Sequence, residues 1–479
     1  MSRKSSTVQP DVLILGAGMA GLVAAIEVTE AGARAAVVDK LPPMIGKGIR
    51  AIIPGGPAND TARAGGGGLG RFELEAPLEE LLDRHRVRGW GRVDLDLMRT
   101  YLERLPGDCR WLRDDLKIPF LERRPIFAST LVRGRGPGLI RYLYQAVEDR
   151  GVTIQFQARA VKLLTDESGQ VTGARTRSEN GIADLHAGTV ILATGGYQAN
   201  HEMLLKYVGP DIAYGTVLTG CPTNTGDGHL MALELGAQMA NLSTCHIRTT
   251  DKFYGEGPSR RIRLIYPLGI YLNMECQRFI DEGIADSDTI ANSIAYQPRN
   301  KAALIFDEKV RAMYPDVYKA YPRGEEVFQV AQSLEDLAIK IDMQPARLKK
   351  AVDEFNAAVK DGKALGLPIP KTENAQKIDT PPFYAFYPVI PGLNHPLGGL
   401  KISSAAQVLD RDSKPIPGLY AAGSIVNWAF GKPYTVGGVR TYMGSYNSGD
   451  SSGLATALVF GRIAGREAAR QALASRDVS

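Results

Sequence analysis

The run of apolar and polar positions marks its clearest element at the start of the chain. Val12-Leu13-Ile14-Leu15 is apolar throughout, the pattern of a parallel strand covered on both faces. Gly16-Ala17-Gly18-Met19-Ala20-Gly21 follows, then LVAAIEVTEAG, which predicts a helix. ARAAVVDK predicts a second strand that ends on Asp39. Comparable strand-to-glycine transitions recur far downstream. VILATGGYQANHEML (190–204) predicts a strand running into Ala193-Thr194-Gly195-Gly196, and PIPGLYAAGSI (415–425) a short strand ending at Gly423. Residues 301–375 lose this punctuation and read as charged and helical. There Leu334, Leu337, Ile341 and Leu348 sit at helix-like spacings, and the proline of MQPARLKKAVDEF marks a helix start.

The order strand, glycine turn, helix, strand, acid carries chemistry. Gly16 permits the tight turn, Gly18 lets the backbone approach a pyrophosphate, and Gly21 lets the helix sit close to the sheet. The helix offers its first amides and its positive dipole end to phosphates. Asp39 is placed to accept from a ribose hydroxyl, which favours FAD or NAD over NADP. A nicotinamide domain would be complete within about 150 residues. A flavin lies extended, and it needs the returning strands near 190 and 415 and a late helix N-terminus, here in SSGLATALVFGRIAGREAA.

Composition narrows the picture only modestly. A chain of 479 residues with 44% hydrophobic content, 52 glycines and 28 prolines reads as a globular, loop-rich enzyme of two domains. The net charge of +5 allows a basic pocket for anions without arguing for nucleic acid. Cys109, Cys221, Cys245 and Cys276 form no CxxC pair, which argues against a zinc or iron–sulfur site and for a reducing compartment. MSRKSSTVQP lacks the apolar core of a secretory signal, and no stretch of roughly 18 apolar residues occurs. A soluble, cytoplasmic protein is the expectation.

Taken in order, the motifs resemble the FAD-dependent fumarate reductase/succinate dehydrogenase flavoprotein superfamily, which also holds ketosteroid dehydrogenases and tricarballylate dehydrogenase. The matching stretches are GAGMAG with Asp39, ARAGGGGLGR (62–71), LATGGYQAN, TNTGDGHLMALELGAQM, NMECQRFIDEG, PPFYAFYPVIPG, HPLGGLKI, and PGLYAAGS with GLATALVFGRIAG. The resemblance implies an α/β fold: a discontinuous Rossmann-like FAD-binding domain, residues 1–235 and 376–479, interrupted by an α+β capping domain at 236–375. It implies cofactor contacts at Gly16, Gly18, Met19, Ala20, Gly21, Asp39 and Lys40, and at Ala64, Gly65, Gly66 and Gly67. Further contacts fall at Ala160 and Val161, at Ala193, Thr194 and Gly195, and at Asn224 and Asp227. The last fall at Gly423 and Ser424, and at Ser452, Gly453, Leu454 and Ala455. Covalently flavinylated relatives carry a histidine between the positions of Asp39 and Gly70. This chain has none there, so non-covalent FAD is expected. LPPMIGKGIRAIIPGGPAND (41–60) is longer than the usual connection and reads as a lid, a subunit contact or a surface insertion.

Flavin chemistry at a C–C bond needs a proton donor or acceptor opposite the hydride and a group that polarises the activating carbonyl or carboxylate. The resemblance gives His395, in NHPLGGLKI, a hydrogen bond to a substrate carboxylate; otherwise it caps the turn before Pro396. His246, in STCHIRTTD, matches a Cys-His pair of tricarballylate dehydrogenase-like members, or is a satisfied histidine at the cap junction. Arg440 lies near the place of a substrate arginine in fumarate reductases, and a guanidinium is a bidentate partner for a carboxylate. Tyr442 and Tyr446 resemble the Tyr-x-Gly turn of ketosteroid dehydrogenases, where a phenol helps enolise a ketone. Tyr266 and Tyr271, in the expected strand LIYPLGIYLN, are further candidates. His229, His201, His186 and His85 read as structural residues of helices or polar turns, and Arg278 as structural.

One departure matters. Fumarate reductases carry a proton-donating arginine where this chain has Ala285, Asp286 and Ser287, so fumarate reduction is not inherited by name. The expected activity is that of an FAD-dependent oxidoreductase acting on a C–C bond beside a carboxylate or carbonyl, with a separate electron donor or acceptor. A ketosteroid- or cyclic-ketone-type 1,2-dehydrogenase and a flavin electron-relay subunit are the alternatives.

Overall fold

The computed structural model describes residues 9–43, 72–74, 76–88, 93–121, 131–250, 264–283, 287–316, 324–426 and 453–476. Val12–Leu15 and Thr189–Leu192 are buried at every position, and they pair in parallel as the centre of a six-stranded sheet. Ala35–Val38 and then Thr153–Gln155 extend one side, also in parallel. Pro415–Ala421 joins Thr189–Leu192 in parallel on the other, with Gln407–Leu409 as an antiparallel edge. Strands from both ends of the chain thus share one sheet. The lack of alternation in Val12–Leu15 and Thr189–Leu192 reflects covers on both faces: helices, and the antiparallel strands Arg159–Thr165, Val171–Ser178 and Gly181–His186.

The C-terminal helix Gly453–Arg476 lies on the N-terminal helix Met19–Glu30. A Cβ at Gly461 would stand 2.8 Å from the Ala20 carbonyl oxygen, and one at Gly465 2.6 Å from that of Ala24. Only glycine allows the two backbones so near. The same contact buries charge. Arg462, 5% exposed, pairs with Glu27 and, at 2.6 Å, with Asp108 of the helix Leu95–Asp114, and its guanidinium lies 4.0 Å from the Trp111 ring centre. Arg466 also reaches Glu27.

A second sheet is built on one long strand, Phe383–Pro396. Cys245–Thr250, Ala302–Asp307 and Phe328–Ala331 pair antiparallel along it, Val217–Leu218 pairs in parallel, and Ile270–Asn273 flanks Ala302–Asp307. Leu337, Leu348, Val352 and Phe355 of the helices Leu334–Lys340 and Pro345–Ala358 share an apolar cluster with Ile270, Leu272, Ile305 and Ala385. The helix start at Pro345 matches the sequence expectation. The wholly helical reading of 301–375 needs correction, since Ala302–Asp307 and Phe328–Ala331 are strands. Ala302–Asp307 is buried at every position and Phe328–Ala331 is only four residues long, so neither shows the alternation that marks a strand among charged, helical neighbours. LIYPLGIYLN likewise forms a strand only at Ile270–Asn273, because Pro267 and Gly269 hold Tyr266 in the preceding turn. Among the described residues no helix is long and apolar enough to cross a membrane.

Replacing Arg462 by Met leaves Glu27 and Asp108 buried without their shared cation. The expected cost is about 3–5 kcal/mol, read as a lowered urea midpoint. An unchanged midpoint would show that the ion cluster does not hold the two chain ends together.

Candidate active site

The first turn is shaped by close backbone approaches. Gly16 has φ +114°, and a Cβ there would stand 2.2 Å from the Ala193 carbonyl oxygen; one at Gly21 would stand 1.9 Å from that of Gly16. Gly18 caps the helix without a side chain, leaving its first amides at the turn. Asp39 is buried and accepts from the backbone N–H of Ala17 at 2.6 Å and of Leu41 at 2.7 Å. Burial pushes its carboxyl above the usual range, against the pull of those two amides and Lys40. The carbonyl of Asp39 also accepts from Ala158, which brings the start of the strand carrying Ala160 and Val161 to the same edge.

Lys40 Nζ donates to Thr225 and Asp227, and Arg159 bonds both oxygens of Asp227 at 2.8 and 3.0 Å. Burial opposes the Asp227 charge, but the Arg159 fork and Lys40 hold its carboxyl below the ordinary range. Asn224 packs against Gly195, and Gly228 against Thr194. The Thr194 hydroxyl and both amide atoms of Gln198 are buried without a hydrogen-bond partner among the described residues. Unpaired polar atoms along 194–198, beside turns too tight for side chains, suit an extended polar cofactor lying over the strand ends. On this observation the residues fit a dinucleotide.

The second sheet meets this cradle at the end of its long strand. A Cβ on Gly196 would contact Gln198 at 2.5 Å and Pro396 at 3.7 Å. Beyond His395 the chain continues to Leu400, whose N–H donates to Ile425 at 2.9 Å, just past Gly423 and Ser424. Gly423 itself lies against Ala20, where a Cβ would stand 3.0 Å from the alanine methyl. The turns near 16–21, 193–198, 395–400 and 423–425 therefore converge.

His395 stands opposite His246 across the antiparallel pair, with the ring centres 5.1 Å apart and inclined at 61°. His246 is 2% exposed. Its Nε2 receives the Nε–H of Arg248 at 2.8 Å. A guanidinium only donates, so Nε2 carries a lone pair and Nδ1 holds the proton of a neutral ring. Nδ1 lies 3.3 Å from the Asn394 amide, whose other end is 2.8 Å from the Thr219 hydroxyl. The two ends of an amide look alike. The assignment that satisfies every group turns the Asn394 oxygen to Nδ1 and its amino group to Thr219.

Other expected residues lie elsewhere. Arg440, Tyr442, Tyr446, Ala64, Gly65, Gly66, Gly67, Ser452, Ala285 and Asp286 fall outside the described residues. Ser287 heads the helix Ser287–Ala295, and its hydroxyl bonds Thr249, which also bonds the Tyr266 phenol. Tyr271 lies in an apolar cluster with Tyr266. Arg278 is tied to Glu282 at 2.5 Å and to the Ile369 carbonyl, an internal clamp. His229 is fully buried edge-on to Tyr197, and burial pushes its pKa down to about 4. His186 closes a strand, not a turn or helix. Sequence reasoning missed Arg248, Asn394, Gln198 and Arg159. Arg248 was within reach, because residues two apart on a strand share a face.

Known proteins resemble this chain along most of its length. The family model described as FAD binding domain matches residues 11–440. "Probable fumarate reductase Ifc3" of Shewanella frigidimarina is 31% identical, over 96% of this chain and 75% of that protein. A urocanate reductase of Eggerthella lenta is 28% identical, over 87% of this chain and 70% of its own. The solved open conformation of a flavocytochrome c3 fumarate reductase superposes with a TM-score of 0.76 at 28% identity, covering 98% of this chain and 79% of that one.

Asp39→Ala removes the acceptor that ties the Ala17 amide to the end of the second strand, where the sequence places a ribose contact. We expect FAD affinity to fall roughly 10- to 100-fold, as loss of hydrogen bonds to a charged group implies, in a flavin fluorescence titration. Unaltered affinity would remove Asp39 from the cofactor site.

Proposed function

The chain belongs to the FAD binding domain family, and on that premise we propose that it is an FAD-dependent oxidoreductase acting on a carbon–carbon bond beside a carboxylate or carbonyl of a small organic molecule. The observation that carries this reading is the His246–His395 pair, set at the strand end that abuts the glycine turns. The similar proteins named for fumarate and urocanate both act, by name, on unsaturated carboxylates, which favours reduction of such a bond. When bound, the flavin supplies the hydride chemistry.

The chain's own residues do the rest. Asp39 and the helix start after Gly18 hold the nucleotide end, with Lys40 and Arg159 as cations nearby. The site at His395 receives the activating carboxylate or carbonyl, and a hydrogen bond there draws electron density from the double bond. The flavin is held without a covalent bond, since no histidine occurs between Asp39 and Gly70. Residues 236–375 serve as the cap, sharing the strand Phe383–Pro396 with the body and closing over the site to exclude water. Electrons come from or pass to a separate partner, and the buried thiols suit a reducing cytoplasm.

The test uses purified FAD-loaded protein under anaerobic conditions. After chemical reduction, an unsaturated carboxylate or ketone from a small panel reoxidises the flavin, and His395→Gln slows this roughly 10- to 100-fold. Protein that takes up no flavin, or whose flavin changes with no compound of either class in either direction, would overturn the proposal.

A further inference from the structure

We infer that Arg159 is the platform on which the adenine of FAD stacks, and that Asp227 is the residue that positions it. This rests on FAD as the cofactor, and it changes what Asp227 does. The resemblance makes Asp227 a cofactor contact, but its carboxylate is already filled from within the protein. Oδ1 accepts from the Thr225 hydroxyl and from Nη2 of Arg159, both at 2.8 Å. Oδ2 accepts from Nε of Arg159 and from Nζ of Lys40, both at 3.0 Å. Four donors use the four lone-pair sites of an ionised carboxylate, and none is left for a ribose or a base. The group that Asp227 sets in place is the Arg159 guanidinium.

That placement is firm. Asp227 is buried at the head of the helix Asp227–Glu234, and Gly226 just before it donates its N–H to the Gly196 carbonyl at 3.2 Å. Lys40 also donates to the Thr225 hydroxyl, at 2.8 Å. Asp227 holds Arg159 by one edge, through Nε and Nη2, which fixes the plane of the guanidinium. The Arg159 side chain is nevertheless 55% exposed. An arginine pinned along its edge with its plane still open is built to stack on an aromatic ring.

The position of Arg159 says which ring. Ala158, one residue earlier, donates its N–H to the Asp39 carbonyl at 3.0 Å, so Arg159 stands beside the strand end where the sequence places the adenosine ribose. Just beyond, the pairing of Arg159–Thr165 with Val171–Ser178 shifts register between Ala160 and Lys162, which leaves Val161 out of the ladder. A purine uses both features, its face on the guanidinium and its donor–acceptor edge on the main chain. A pyrophosphate would use only the charge.

The experiment titrates the whole chain, stripped of flavin, with FAD and with an analogue that keeps the flavin, pyrophosphate and ribose but lacks the adenine base. Flavin fluorescence reads binding, and melting temperature checks folding. Arg159→Met should weaken FAD roughly 5- to 150-fold, the range for a base stacked on a side chain, and leave the analogue unaffected. Arg159→Lys, which keeps the charge but not the plane, should lose most of the same affinity. Asp227→Asn should reduce the preference for FAD by less, and should add no further loss to Arg159→Met, a result that general loosening of the fold would not give. Equal weakening of both ligands, or full recovery in Arg159→Lys, would assign Arg159 to the pyrophosphate and overturn the inference. Wild-type FAD affinity in well-folded Arg159→Met, or a wild type that binds FAD and the analogue equally, would also overturn it and leave the proposed oxidoreductase intact. A wild type that takes up neither ligand fails the broader proposal instead.

Discussion

The structure depends on how near two backbones can come at the first glycine turn. Gly16 rests against Ala193, and Gly21 against Gly16, at distances that exclude any Cβ. That contact sets the parallel pairing of Val12–Leu15 with Thr189–Leu192, and through Pro415–Ala421 it ties the last part of the chain to the first. Every later feature inherits this. The helix Gly453–Arg476 docks on Met19–Glu30 through glycines and through the charges gathered around Arg462. The turn after Gly423 can then reach both Ala20 and the segment leading away from His395.

The second sheet works as an arm attached to that frame. Its long strand ends beside the glycine turns of the first sheet, so the strand pairing brings His246 and His395 toward those strand ends. Ligands of parallel sheets sit at the carboxyl ends of strands, and here the second sheet delivers charged and imidazole groups to that edge. The cradle contributes tight backbone and unpaired polar atoms; the arm contributes donors.

Much of this was legible in the sequence, and the reasons differ from place to place. The turn at 16–21 announces itself because three glycines, an apolar run and a terminal acid have few other joint explanations. Lys40 and Asp227 were found by resemblance, and the structure joins them through a hydrogen bond. Arg159 was not seen, since a lone arginine at a strand start has no local signature; its meaning lies in a partner far along the chain. The strands Ala302–Asp307 and Phe328–Ala331 escaped notice because both are short and flanked by helical, charged sequence. His246 was singled out by the resemblance of its Cys-His pair to tricarballylate dehydrogenase-like members, whereas its bonds to Arg248 and Asn394 depend on a strand pairing that local sequence does not encode.

The central claim is that the amino-terminal turn and the histidine-bearing strand end enclose a single flavin. The most direct measurement loads the protein with an FAD carrying a photoreactive azide on its isoalloxazine ring and maps the labelled peptide after illumination. The account predicts labelling on the segments around residues 245–250 or 394–400, blocked by excess FAD. Label confined to surface peptides remote from both strands, with FAD protecting only the 11–40 region, would contradict it.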